Sequence, residues 1–360
     1  MKKKINHILP ALVLTASLGL TTVSCNGFLD EMPDNRTELN TDQKIAKLLV
    51  SAYADVSPNE LFELYSDNSD DSGPTYGYYK LSEQECYHWQ DTKEEYQDTP
   101  NSLWGGYYSA IAAANMALNA IEEKGNPASL DPQRGEALVC RAYCHFMLAN
   151  IFCNAYDTHA SQSLGVPYME EVETTVSPRY ERGTLEEVYR KVERDLLEGI
   201  DLISDDSYSV PKYHFTRKAA YAFAARFYLY YMKPDFSNCD RVIDFATRVL
   251  GTNPADLLRN WEALGNLSVN GNVQADAYIA SSNEANLLIS STVSNWGAIG
   301  SDYLIGPRYF HNQTLATSET CLSSGLWGSS DYFYLKPFST NGFVASILRK
   351  SGLYEGTYLY

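Results

Sequence analysis

DPQRGEALVCRAYCHFMLANIFC, residues 131–153, reads as a helix with almost no polar face. From Ala137 to Phe152 its only strongly polar side chains are Arg141, His145 and Asn150. A helix that is apolar nearly all round is buried between neighbours, so this stretch predicts a helical assembly around it. Asp131 is placed to cap the helix, and Pro132 suits its first residue, where the missing N–H would have had no partner. TRKAAYAFAARFYLYYM, residues 216–232, has the same texture. Its alanines allow close helix approach, its Tyr and Phe side chains supply buried area, and only Arg226 interrupts it. Small residues beside large ones on paired helices are typical of stacked helical repeats.

Further helices flank these two. One is expected from Thr41, as cap, to Tyr53, with Ile45, Leu48, Leu49 and Tyr53 on one face. SLWGGYYSAIAAANMALNAIEEK opens at Asn101 or Ser102 and ends near Gly125. Thr184 and Glu187 form a reciprocal capping pattern for a helix running to about Ser204, buried along Leu185, Val188, Val192, Leu196, Ile200 and Ile203. Another runs from Asn238 to Leu250 and closes on Gly251. The fold class is mainly α: a tetratricopeptide-like helical-repeat scaffold with long loops and an irregular α+β C-terminal part from residue 252. In that part Asn286–Thr292 is strand-like. Residues 66–100 form a long loop insertion mixing acids, turn formers and aromatics.

The 360 residues are 44% apolar, with 45 acidic side chains against 28 basic ones. Phosphate binding needs the opposite sign, so nucleic acid is excluded as a partner. The N-terminus reads as a signal peptide over residues 1–24: Lys2, Lys3 and Lys4, an apolar run from Ile8 to Leu20, then Thr22-Val23-Ser24-Cys25. The leader holds three lysines and no acid, so its removal takes the net charge from −17 to −20. The residues before Cys25 resemble a bacterial lipobox, which implies lipidation of Cys25 and membrane anchoring without a transmembrane helix. The other cysteines, 86, 140, 144, 153, 239 and 321, show no CxxC spacing, and their positions select no disulfide pairing.

Five segments in order resemble the SusD/RagB family of nutrient-binding outer-membrane lipoproteins: Cys25 to Tyr53, Trp104 to Leu118, Gly135 to Phe152, Glu186 to Ile203 and Thr216 to Tyr230. The resemblance implies an N-terminal helical region over 25–251 and a C-terminal region over 252–360 that is incomplete, because family members usually continue further. It also implies an outer-membrane protein facing the exterior, with a glycan ligand and a SusC-like TonB-dependent transporter as partner. Cofactors and resident metals are not expected.

Sugar rings offer C–H faces edged by hydroxyls, so their sites combine aromatic platforms with Asp, Asn, Arg or Gln. Asp70, Tyr76, Tyr78, Tyr79, Tyr87 and Trp89 give that composition in the 66–100 insertion. Trp296, Tyr303, Arg308, Tyr309 and Trp327 give it again late in the chain. Trp104, Tyr107 and Tyr108 match the family's helix pattern and read as scaffold. Asn68, Asp70, Ser72 and Gly73 fit half of a calcium loop, but its twelfth position is Tyr79, not the bidentate glutamate. No GxSxG, HExxH, GxGxxG or phosphate-loop motif occurs. The expected role is glycan capture without cleavage, with a transporter-binding adaptor and a glycoside hydrolase as the alternatives.

Overall fold

The computed structural model describes residues 39–74, 80–95, 97–175, 178–267, 273–294 and 308–310, all but 39 and 40 of them in the unit Thr41–Tyr360. It is mostly helical, as expected. Helix α1 (Asp42–Leu48) starts where the Thr41 side chain accepts the Lys44 N–H, and continues as a 3-10 turn, Leu49–Ala52. Ile45, Leu49 and Ala52 are its buried residues. The 66–100 insertion is more ordered than its composition indicated. A short helix, α2 (Asn59–Leu64), leads into it, and inside it lie strand β1 (Asp70–Asp71) and helix α3 (Leu81–Tyr87). Both helices escape periodicity analysis because each spans barely two turns.

Helices α4 (Pro100–Glu123) and α5 (Asp131–Phe152) follow. Two expected caps are corrected here. Thr99 caps α4 with its hydroxyl and Pro100 is helical; Asp131 lies inside α5, whose N-cap is Leu130 with no side-chain bond. The 3-10 turn Ala128–Leu130 runs straight into α5, leaving Asp131 already in helical geometry as a first-turn acid.

Helix α6 (Leu185–Leu202) carries the complete capping box of Thr184 and Glu187, and α7 (Arg217–Tyr230) is capped by Thr216. Helix α8 (Cys239–Leu250) closes on Gly251 at φ 65°. Two short helices, α9 (Trp261–Gly265) and α10 (Val273–Ile279), and strand β2 (Tyr309–Phe310) complete the described chain. Asn286–Thr292 is not a strand; it is irregular, with a bend at Leu287, and the bridge beside it joins Val293 to Val56.

Helix α5 is the axis: it packs against α4, α6 and the Leu49–Ala52 turn, while α7 pairs with α8. Its polar residues are spent on neighbours. Glu136 accepts hydrogen bonds from Tyr53 Oη at 2.6 Å and His214 Nδ1 at 2.7 Å. Arg141 Nε donates to Asp195 at 2.6 Å, and Nη1 donates to Asn115 at 3.0 Å. His145, wholly buried, donates from Nδ1 to the Arg141 carbonyl and accepts the Met169 N–H at Nε2, stacking on Tyr168 with ring centres 3.8 Å apart. Arg226, the exception in α7, places its guanidinium over the rings of Tyr143 and Phe146. At the α5–α6 crossing the backbones meet: a Cβ on Gly135 would sit 2.7 Å from the Gly199 carbonyl oxygen, and one on Gly199 2.7 Å from that of Gly135. Cys86, Cys140, Cys144, Cys153 and Cys239 are free thiols. Among the described residues no helix is long and apolar enough to cross a membrane.

Candidate functional site

The site is built where the insertion meets the late segment. Strands β1 and β2 pair antiparallel, Asp70 opposite Phe310 and Asp71 opposite Tyr309. Arg308 fastens the join with two bonds, Nε to Asp71 Oδ1 at 2.6 Å and Nη2 to Oδ2 at 2.7 Å, and its carbonyl accepts the Ser72 N–H at 2.9 Å. This bidentate guanidinium holds the Asp71 carboxyl below its usual range. Tyr309 lies in the core beneath, 1% exposed, among Leu61, Leu64, Cys86 and Leu103. Tyr87 stacks on it at 4.7 Å, and His88 meets the same ring edge-on.

Helix α3 then ends in a turn whose exposed residue is Trp89. The Trp89 N–H bonds to the Cys86 carbonyl and the Gln90 N–H to the Glu85 carbonyl, the bonding pattern of a Schellman termination. Helix α4 ends through the same pattern with Gly125, φ 81°, at the left-handed position. At the end of α3 that position is held by Trp89 itself, φ 55°. A bulky residue there is an outlier costing about 1–2 kcal/mol. Strain of this kind is concentrated at binding surfaces, where neighbouring structure enforces it. One face of the indole stacks on Tyr65, with ring centres 4.6 Å apart at 23°, yet the residue remains 73% exposed. Trp89 and Tyr65 thus form an exposed aromatic shelf at the end of α3, while the two residues before Trp89, Tyr87 and His88, pack on Tyr309 of the β1–β2 join.

A buried charged cluster lies at the start of α3, where Lys80 is the N-cap. Lys80 Nζ is 3.7 Å from Glu60 and 3.8 Å from Glu83. Burial pushes the Glu60 carboxyl up to about 8 and that of Glu83 to about 7. Glu94 accepts the Ser82 N–H in the first turn of α3, and Glu85 accepts the Lys93 N–H, so the segment beyond Trp89 is tied back to the helix before it.

The expected site residues thus fall into two groups. Asp70, Tyr87, Arg308 and Tyr309 meet at the β1–β2 join, with Trp89 two residues beyond Tyr87, but Tyr309 is corrected from a ligand contact to a core residue, because Tyr87 and the Leu61–Leu103 cluster cover its ring. Tyr76, Tyr78, Tyr79, Trp296, Tyr303 and Trp327 lie outside the described residues, as do the leader and Cys25. Tyr65 was missed; its only signal was an aromatic at the end of a short helix. Elsewhere a cavity of about 120 Å³ lies among Tyr53, Val56, Tyr107, Tyr143, Phe223 and Leu288. Its mostly apolar lining suits helix packing more than a hydroxyl-rich ligand. Trp104, Tyr107 and Tyr108 sit in the scaffold, Tyr107 buried and Tyr108 Oη donating to the Pro167 carbonyl. No group of three or more His, Cys, Asp or Glu side chains among the described residues is placed to hold a metal ion.

The stacked helices, with an insertion that carries an exposed tryptophan, define a tetratricopeptide-like helical scaffold. The SusD-like family described as "Starch-binding associating with outer membrane" matches residues 27–229, more than half of the chain, and the chain belongs to it. Solved structures share the fold. A SusD superfamily protein of Bacteroides thetaiotaomicron superposes with TM-score 0.50 at 19% identity, over 62% of this chain and 48% of its own. One from Bacteroides vulgatus gives 0.50 at 22%, over 63% and 50%. A SusD-like carbohydrate binding protein, also from Bacteroides vulgatus, gives 0.50 at 16%, over 72% and 54%. The chain therefore spans about half the length of these structures. No curated protein matches it.

Proposed function

We propose that this chain belongs to a cell-surface lipoprotein that captures oligosaccharides on the Trp89–Tyr65 shelf, without cleaving them, and delivers them to a TonB-dependent transporter. Residues 1–24 serve as the signal peptide and Cys25 as the lipid-bearing residue, with residues 25–251 forming the helical scaffold and 252–360 part of a C-terminal region. Family membership supports the outer-membrane setting. One observation carries the ligand reading: an exposed tryptophan occupies a left-handed helix terminus at the position where α4 uses glycine. A stability role alone would favour glycine at both ends. A sugar face laid on the indole gains C–H contact there, and the neighbouring exposed residues His88 and Gln90 offer groups that can bond the ring's hydroxyls.

The test is Trp89→Gly, titrated against a glycan panel by calorimetry and melted in parallel. Relief of backbone strain and loss of the Tyr65 stack nearly cancel, so stability is expected to move by no more than about 1 kcal/mol. Affinity for the bound glycan is expected to fall at least about tenfold, since stacking supplies roughly 1–3 kcal/mol per ring. Unchanged affinity would refute the shelf.

A further inference from the structure

We propose that the shelf filters ligands by charge, accepting neutral glycans and those bearing free amines while rejecting uronates and sulfated polymers. This rests on the glycan-capture reading above and specifies its ligand class.

The surrounding chain is heavily acidic: residues 59–99 contain eleven Asp and Glu but only Lys80 and Lys93 as bases. The paired strand β2 is preceded by one cation, Arg308. Each cation of these segments already faces carboxylates. Lys80 lies between Glu60 and Glu83, Lys93 Nζ is 3.4 Å from Glu85, and Arg308 spends its fork on Asp71. The Arg308 guanidinium also lies 5.1 Å from the Tyr309 ring centre. Recognition of a sugar carboxylate or sulfate by arginine uses that same bidentate fork, which Asp71 fills.

Among the described residues of these segments, exposed Asp67, Asp91 and Glu95 outnumber the one exposed lysine, Lys93, which already lies beside Glu85. Asp67 and Asp91 are solvent-facing, and each follows by two residues one of the stacked rings, Tyr65 and Trp89. A uronate laid on Trp89 would meet this field within the screening distance of about 8 Å, whereas an ammonium would be drawn in by it.

The experiment titrates the full chain, at low and at physiological salt, with matched oligosaccharides. The probes are neutral xylo-, gluco- and galacto-oligosaccharides, oligogalacturonate and chitosan oligomers. Asp67→Lys/Asp91→Lys is measured beside the unmodified protein. Both positions are exposed, so the fold is not challenged. Expected are neutral binding that ignores salt, oligogalacturonate at least about tenfold weaker, and chitosan binding that weakens as salt rises. The double variant should gain oligogalacturonate affinity about tenfold at low salt. Oligogalacturonate bound as tightly as the neutral set, or no gain in the double variant, overturns the filter and leaves glycan capture standing. Failure to bind any glycan, neutral ones included, overturns both.

Discussion

Burial acts on single groups here in opposite directions, and pH separates them. Glu60 is lifted from 4.5 to about 8 and Glu83 to about 7, so the folded protein holds protons that the unfolded chain releases. The stability from these two is fully present below pH 4.5 and is lost as pH rises through 7 to 8. His145 runs the other way. Burial holds it neutral, with its pKa lowered from 6.5 to about 3, so its contribution disappears as pH falls below 6.5. Glu60→Gln is therefore expected to gain stability over the parent at about pH 9, on the order of a few kcal/mol, and little at about pH 5. Urea unfolding at the two pH values decides it; equal effects at both would show that Glu60 is ionised throughout. Such groups are half-legible in a sequence. His145 stands out as a polar residue in an apolar helix, which indicated burial correctly. Glu60 and Glu83 look like ordinary surface acids, because only the packing of α2 on α3 removes them from water.

At the scale of elements, the long helices were readable because each repeats its apolar face over several turns and carries a local stop or start: Thr41, the Thr184–Glu187 box, Thr216, Gly251. Helices α2 and α3 were not, since neither offers enough periods to outweigh a run of acids and turn formers. The α5–α6 crossing was also invisible. Alanines were the expected points of close approach, but the tightest contact is glycine on glycine, Gly135 against Gly199, which no single-helix pattern reveals. Intrinsic propensity favours alanine over glycine inside a helix by about 1 kcal/mol. Gly135→Ala and Gly199→Ala are nevertheless each expected to destabilise, by about 1–3 kcal/mol, because the added carbon meets backbone rather than a movable side chain. Thermal melts of both variants would show lowered midpoints; a rise in either would mean that the helices separate freely.

Across the whole molecule, composition singled out two segments that the structure joins, one with Asp70, Tyr87 and Trp89 and the other with Arg308 and Tyr309. That they meet was not legible, because a two-residue strand pair leaves no pattern in sequence. Nor was the burial of Tyr309, which makes it the floor of the shelf. Tyr309→Ala should open a cavity costing about 3 kcal/mol. Its effect should be regional: hydrogen exchange is expected to quicken in α2 and α3 while α5 and α6 keep their protection. Uniform acceleration would instead mean that the shelf and scaffold unfold together. The ion pair between Asp71 and Arg308 spans 237 positions of sequence. Contacts this distant form late, since folding proceeds through local pairs first and chains emerge from the ribosome N-terminal end first. A nascent protein can thus complete α1 to α8 while Trp89 still lacks its floor and rim. The β1–β2 join therefore closes only after residue 310 has emerged, later than the helices it rests on.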